Sequence, residues 1–189
     1  MIIILLRGFS NSGKDFVGDI ICSQYGYKKI SFADSLKQIV ANKYNIPLEL
    51  LYTQEGKMMV YNNTTYRQLL IDEALKLKKL DPDIFAKHCC DNINNALHNN
   101  NALNIIITDW RFNNELDVLK EYFPDAKIIP VHVIRTNQIK SPIDDISEYH
   151  LIDRKDDLTI INNMDDSIYD NIKKLLYNTT ISIHAPHSI

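Results

Sequence analysis

The sequence predicts an α/β fold: a parallel sheet of about five strands with helices on both faces, in a single domain spanning residues 1–189. Three observations predict it. Ile2 to Leu6 is an unbroken apolar run rich in branched side chains, the pattern of a strand buried on both faces. A second such run, LNIIIT at 103–108, lies about a hundred residues further on. Between and beyond them, apolar residues recur at helical spacing. Strands that alternate with helices pair in parallel and bury both sheet faces.

The elements follow in order. After Ile2–Leu6 comes the loop RGFSNSGKD, and then Phe16, Val17, Ile20 and Ile21 at helical spacing. YKKISF (27–32) reads as a second strand, and Asp34 is placed to cap a helix running through Asn42. Pro47 opens a short helix, and TQEGKMMVYNN (53–63) carries little periodic signal. A helix is expected from about Thr65 to Leu80. Asp81-Pro82 then resembles a cap with proline in the first turn of a helix reaching about His98. The strand at 103–108 precedes a helix at 113–122, a strand at 127–134, a polar loop at 140–157, a last strand at 158–161 and an amphipathic helix at 167–177. No repeat or linker divides the chain.

Bulk properties bound the function. With 45% hydrophobic and 24% charged residues, the 189-residue chain has the composition of a globular protein with a sizeable core. A net charge of -3 argues against nucleic-acid or membrane-surface partners, which favour a basic face. No apolar run approaches the roughly 20 residues that span a bilayer, and IIILL is too short for a signal-peptide core. Three cysteines, Cys22, Cys89 and Cys90, form no disulfide framework; free thiols point to a reducing compartment, the cytoplasm. His88 beside Cys89 and Cys90 lacks the spacing of a structural zinc site.

The loop carries the chemistry. Gly8-x4-Gly13-Lys14, with a strand before it and a helix after it, has the context of a phosphate-binding loop. Its backbone N–H groups and the helix dipole converge on phosphate oxygens, and Lys14 adds a mobile charge. Where a hydroxyl normally meets magnesium stands Asp15, followed by Phe16. A carboxylate there requires a metal ion or several cations close by.

SGKD and the pieces downstream carry a resemblance. GFSNSGKD (8–15), SFADSLK (31–37), TYRQLLIDEA (65–74), DPDIFAKH (81–88), IIITDWRFNNE (105–115), VIRTN (133–137), DDISEYHL (144–151) and LTIINN (158–163) occur in the order found in the deoxynucleoside monophosphate kinases of bacteriophages and large viruses, which the chain resembles over nearly its whole length. SGKDFV and the acidic DDISE are also similar to animal-type phosphomevalonate kinase. The resemblance implies a P-loop NTPase fold of the monophosphate-kinase type, a three-layer sandwich. It implies transfer of the γ-phosphoryl group of ATP, with Mg2+, to a deoxynucleoside monophosphate. Phosphomevalonate kinase activity, or a nucleotide-binding protein without catalysis, stand as alternatives. The partners implied are small nucleotides; a homodimer is compatible with this reading.

Residue by residue, the loop positions Gly8, Asn11, Ser12, Gly13, Lys14, Asp15 and Phe16, with Arg135, are expected on the ATP side. Lys14, Asp15, Asp109 and Arg111 are expected at the transfer step, with Asp15 and Asp109 reaching metal through water. Residues 31–98 are expected to enclose the acceptor and residues 136–157 to act as a lid, with Phe32, Asp34, Lys37, Arg67, Trp110 and Glu148 expected to bind the substrate. Phosphoryl transfer needs cations and alignment more than covalent chemistry, and arginine bridges phosphates bidentately. Each assignment has a plainer counterpart. Asp34 serves equally as a helix cap, Asp109 as a cap for the next helix, and Trp110 as a core aromatic. Arg111 pairs equally well with Glu115, while the Lys76-Lys78-Lys79 run reads as a solvated helix face.

Overall fold

A computed structural model describes residues 1–100, 104–136, 150–151, 154–155 and 157–181. The chain runs β1 (Ile2–Arg7), α1 (Lys14–Tyr25), β2 (Lys28–Ile30), α2 (Asp34–Tyr44), a 3-10 turn (Leu48–Leu51), α3 (Gln54–Met58), β3 (Val60–Tyr61), β4 (Thr64–Thr65), α4 (Tyr66–Leu80), α5 (Ile84–Asn100), β5 (Asn104–Ile107), α6 (Asn113–Tyr122), β6 (Lys127–Arg135), β7 (Leu158–Asn162) and α7 (Ser167–Ile181).

Five strands form the expected parallel sheet, in the order β2-β5-β1-β6-β7. Strand β1 is central, with Ile3 opposite Ile105 of β5 and Ile128 of β6. Its alternation divides the core. Ile3 and Leu5 face a cluster with Cys89, Ile93 and Leu119 of α5 and α6. Ile4 and Leu6 face the other, with Val17 and Ile21 of α1 and Ile172 of α7. The result is three layers, helix, sheet, helix. A third cluster, built from Val40, Leu51, Tyr66, Leu69 and Phe85, holds α2, α4 and the start of α5 together beside the sheet.

The largest departure from the sequence reading is the segment 53–63. It contains α3, capped by the Thr53 side chain accepting from the Gly56 amide, and then a β3–β4 hairpin. The turn is Asn62-Asn63, with φ values of 46° and 65°. A two-residue hairpin turn of the type I′ kind needs positive φ at both positions, and asparagine tolerates it. Strand β2 is shorter than expected, three residues rather than six. Cys89 and Cys90 are buried helical residues, as read from their spacing. No helix among the described residues is long and apolar enough to cross a membrane.

Candidate functional site

In this strand order the chain leaves β1 first towards β2 and β5 and later towards β6 and β7. The reversal opens a crevice beyond the carboxyl end of β1, the place where open parallel sheets take ligands. The glycine loop fills that place. Gly8 (φ 148°), Asn11 (φ 62°) and Gly13 (φ 95°) all lie in the left-handed half of the map, which curls the loop into a cradle. A Cβ on Gly8 would lie 2.4 Å from the Val133 carbonyl, and one on Gly13 would lie 2.3 Å from the Asn162 amide nitrogen. Alanine fits at neither position. The Ser12 hydroxyl is buried within the loop without a hydrogen-bond partner among the described residues.

Lys14 opens α1 and folds back, its ammonium donating to the carbonyls of Gly8 (2.6 Å) and Phe9 (2.9 Å). Arg135, at the end of β6, donates to the Asn11 carbonyl at 3.2 Å. Asp15 accepts from the Thr108 hydroxyl at 2.8 Å, and Lys29 stands 3.8 Å away. Its side chain is otherwise open, 79% exposed, and Phe16 beside it is half exposed. An accessible carboxylate next to a phosphate cradle suits a hard cation, which prefers oxygen donors and keeps its waters. The exposed carboxylate of Asp15 would offer oxygen donors to a hydrated Mg2+, as the resemblance implies.

Asp109 does not. Its carboxylate accepts from the Ser31 hydroxyl and from the backbone N–H groups of Phe32 (2.9 Å) and Ala33 (3.0 Å). Both oxygens are committed to the loop between β2 and α2, so this residue anchors the wall that carries Asp34 and Lys37. Two further expectations are corrected by burial. Trp110 is 1% exposed, its indole N–H bonded to the Phe112 carbonyl, and Arg154 lies over its ring. Phe32 is buried in the same core. Neither ring is presented for stacking on a base. Glu148 lies outside the described residues, as does most of the 136–157 segment.

Of the acceptor-side residues, Asp34 and Lys37 come together. Asp34 caps the turn before α2 by accepting from the Ser31 amide at 2.9 Å, and also accepts from the Tyr52 hydroxyl at 2.9 Å. The Lys37 ammonium lies 3.5 Å from Asp34 and 4.0 Å from the centre of the Tyr52 ring. Burial first, and then the Asp34 charge, push the Tyr52 phenol up to about 12, so it stays a donor. Arg67 on α4 donates to Gln54 of α3 at 2.7 Å. Arg111 is placed by Glu115, whose carboxylate accepts from the backbone N–H groups of Arg111 (2.9 Å) and Phe112 (3.0 Å).

Three participants carry no local sequence signal. Asn162, at the end of β7, donates from its amide to the Ser12 carbonyl at 3.0 Å and braces the cradle from 150 residues away. Tyr52 sits between Lys37 and Asp34. Burial first, and then the charges of Lys37 and Arg67, lower the affinity of Lys57 on α3 for its proton. The lysine run on α4 is less solvated than its pattern suggests: Lys76 approaches the buried Glu73 at 3.9 Å, and Lys78 lies 3.6 Å from the Phe112 ring centre.

No family model matches the chain, and no curated relative does. Solved structures do. The chain aligns with a protein from Chloroflexus aurantiacus provisionally assigned as a kinase, at 9% identity and a TM-score of 0.53, over 95% of this chain and 96% of that one. It aligns with TT1252 from Thermus thermophilus at 13% identity and a TM-score of 0.50, over 96% and 97%. A dephospho-CoA kinase from Campylobacter jejuni aligns at 14% identity and 0.47, over 95% and 98%. The first two show a shared fold. At these identities fold and function are separate matters.

Proposed function

We propose that the protein transfers the γ-phosphoryl group of ATP to a deoxynucleoside monophosphate. One observation supports this most: a curled loop at the carboxyl end of the central strand, braced by Asn162 and closed by Lys14, has the form of a phosphate cradle. A nucleotide donor seated on residues 8–15 would meet backbone N–H groups, the α1 dipole and Lys14. Lys14 would exchange its two carbonyl partners for phosphate oxygens, and Arg135, already on the loop, would approach from β6. The wall of Lys37, Arg67 and Arg111 suits the phosphate of the acceptor.

In the transfer, an acceptor phosphate oxygen forms a bond to the γ-phosphorus as the bond to the bridging β,γ-oxygen breaks, and ADP leaves. This chain supplies alignment and positive charge around the moving group rather than a covalent intermediate. Mg2+, held near Asp15 through water, would supply charge neutralisation on the phosphates when bound. Asp109 acts at one remove, holding residues 31–33 so that Lys37 and Asp34 keep their places.

Phe16 and Val17 after the loop favour mevalonate 5-phosphate as a second candidate, since they match that branch and Phe16 stands half exposed beside the cradle. An acceptor screen with ATP separates these readings. ADP release is measured with dAMP, dGMP, dCMP, dTMP, the ribonucleotides and mevalonate 5-phosphate. Turnover with a deoxynucleotide is the expected outcome. Turnover only with mevalonate 5-phosphate, or with none, overturns the reading.

A further inference from the structure

The two residues that follow β5 are bound to different elements. Asp109 holds the loop before α2 through the amides of Phe32 and Ala33. Thr108 is bound to α1 instead. It is 5% exposed, and its methyl group is seated against the first turns of that helix: a Cβ on the buried Gly18 would lie 2.6 Å from Thr108 Cγ2. The Trp110 N–H, donating to the Leu6 carbonyl at 3.3 Å, holds the same stretch against the end of β1. From this fixed place the Thr108 hydroxyl donates to the Asp15 carboxylate at 2.8 Å, across 93 residues of sequence.

A seat of this shape takes valine as well as threonine, so packing alone does not require the hydroxyl. What the hydroxyl adds is a fixed bearing for Asp15. That carboxylate is 79% exposed, and its charged neighbour Lys29 stands 3.8 Å away while donating to Asp19 at 2.7 Å. An exposed carboxylate beside a lysine paired elsewhere samples several rotamers, and a hydrogen bond from a buried, packed donor selects one. We infer that Thr108 is a positioning residue: its hydroxyl holds the Asp15 carboxylate at the edge of the cradle, on the side of β5 and β2, where it meets the water shell of a magnesium-bound donor phosphate. The end of β5 then sets both sides of the crevice, Asp15 through Thr108 and residues 31–33 through Asp109. This deepens the phosphotransfer reading, on whose donor side it rests, by naming the residue that aims Asp15.

Thr108→Val removes the hydroxyl and keeps the shape, whereas Thr108→Ser keeps the hydroxyl. ATP binding by isothermal titration, with Mg2+ and with EDTA, and thermal unfolding are measured for the parent, both variants, Asp15→Ala and Asp15→Ala/Thr108→Val. Mg2+ is expected to strengthen ATP binding in the parent, and Thr108→Val to cut that gain by about 3–10-fold, the scale of one net hydrogen bond, with affinity in EDTA unchanged. Thr108→Ser keeps most of the gain. Asp15→Ala loses it, and adding Thr108→Val costs nothing further, because residues that act through one another are not additive. The Tm of Thr108→Val stays close to that of the parent, since the exposed Asp15 carboxylate returns to water. A Thr108→Val effect that appears equally in EDTA, or that persists in the Asp15→Ala background, makes Thr108 a packing residue and overturns the inference. Turnover of an acceptor by the parent, with the Mg2+ gain unchanged in Thr108→Val, overturns it while leaving the kinase reading intact. The expected titration pattern in a protein that turns over no acceptor sinks the kinase reading and keeps Thr108. A parent that binds no ATP overturns both, and one whose ATP binding gains nothing from Mg2+ overturns the inference.

Discussion

The two sides of the crevice are built on different principles. The donor side is a backbone device: eight consecutive residues, three with positive φ, braced by one asparagine from β7 and closed by a lysine that binds the loop's own carbonyls. The proposed acceptor side is a side-chain device, with Lys37 on α2, Arg67 on α4 and Arg111 beyond β5. Helices α2 and α4, which carry Lys37 and Arg67, are packed together over their own small core. A backbone cradle recognises what all nucleotide phosphates share. A set of long side chains on separate elements can be re-aimed by small shifts, and under the proposed function that is where selectivity for an acceptor would reside.

The sharpest way to break the contrast is Lys14→Ala. The substitution removes the ammonium proposed to meet the outer phosphates without touching the residues proposed for the acceptor. Turnover is expected to fall by about 10²–10³-fold or more, as when one preorganised donor to developing charge is lost, with acceptor binding by titration little changed. Retained turnover, or an equal loss of acceptor binding, removes the distinction between the two sides.

Asp109→Asn comes next in size and tests the anchor. The amide cannot reproduce three accepted hydrogen bonds, so the loop at 31–33 is released and stability falls by about 1.5–3 kcal/mol, the scale of hydrogen bonds to a charged group. The acceptor KM rises with it, while kcat per bound substrate is largely kept. A large loss of kcat at unchanged Tm would instead restore Asp109 to the reacting centre.

The same contrast explains what could be read in the sequence. Strand β1, the loop and α1 are contiguous, and each obeys a local rule: branched apolar strand, glycines at fixed spacing, apolar residues at helical spacing. They are found where expected. The brace from Asn162 and the placement of Tyr52 and Lys57 depend on which elements pack together, and no spacing encodes that. Asp109 was legible as a strand-end carboxylate, but its partners lie 76 to 78 residues earlier, so its commitment to residues 31–33 emerges only in three dimensions. Trp110 read as either a stacking or a core aromatic, and its burial, like that of Phe32, puts it in the core. The hairpin at 60–65 was hidden because two asparagines, not glycine, make its turn.

The smallest expected effect concerns the support of Arg111. Glu115 is buried beneath it, and desolvation, with Asp109 nearby, raises its carboxyl from the usual 4.5 to about 7, against the two backbone N–H groups that favour ionisation. A carboxyl with a folded value above its unfolded one binds its proton more tightly when folded. Its contribution is therefore whole below about pH 4.5 and is lost as pH rises towards 7. His132 runs the other way: burial, then Arg7, lower it from 6.5 to about 4, so stability is lost as pH falls through that window. Between pH 4.5 and 6.5 the two slopes oppose. From pH 6.5 to 7.5 only that of Glu115 remains, at no more than about 1.4 kcal/mol per pH unit. Glu115→Gln keeps a carbonyl oxygen for the amides of Arg111 and Phe112 and removes the titration. Thermal unfolding across pH 6.5–7.5 should show the parent losing stability and the variant level, with Arg111 still in place and acceptor KM within about twofold, because an exchange that preserves the accepted N–H bonds leaves little unsatisfied. A variant that tracks the parent across that interval would mean that Glu115 is already ionised in the fold, held so by the two amides and the cations of the acceptor wall.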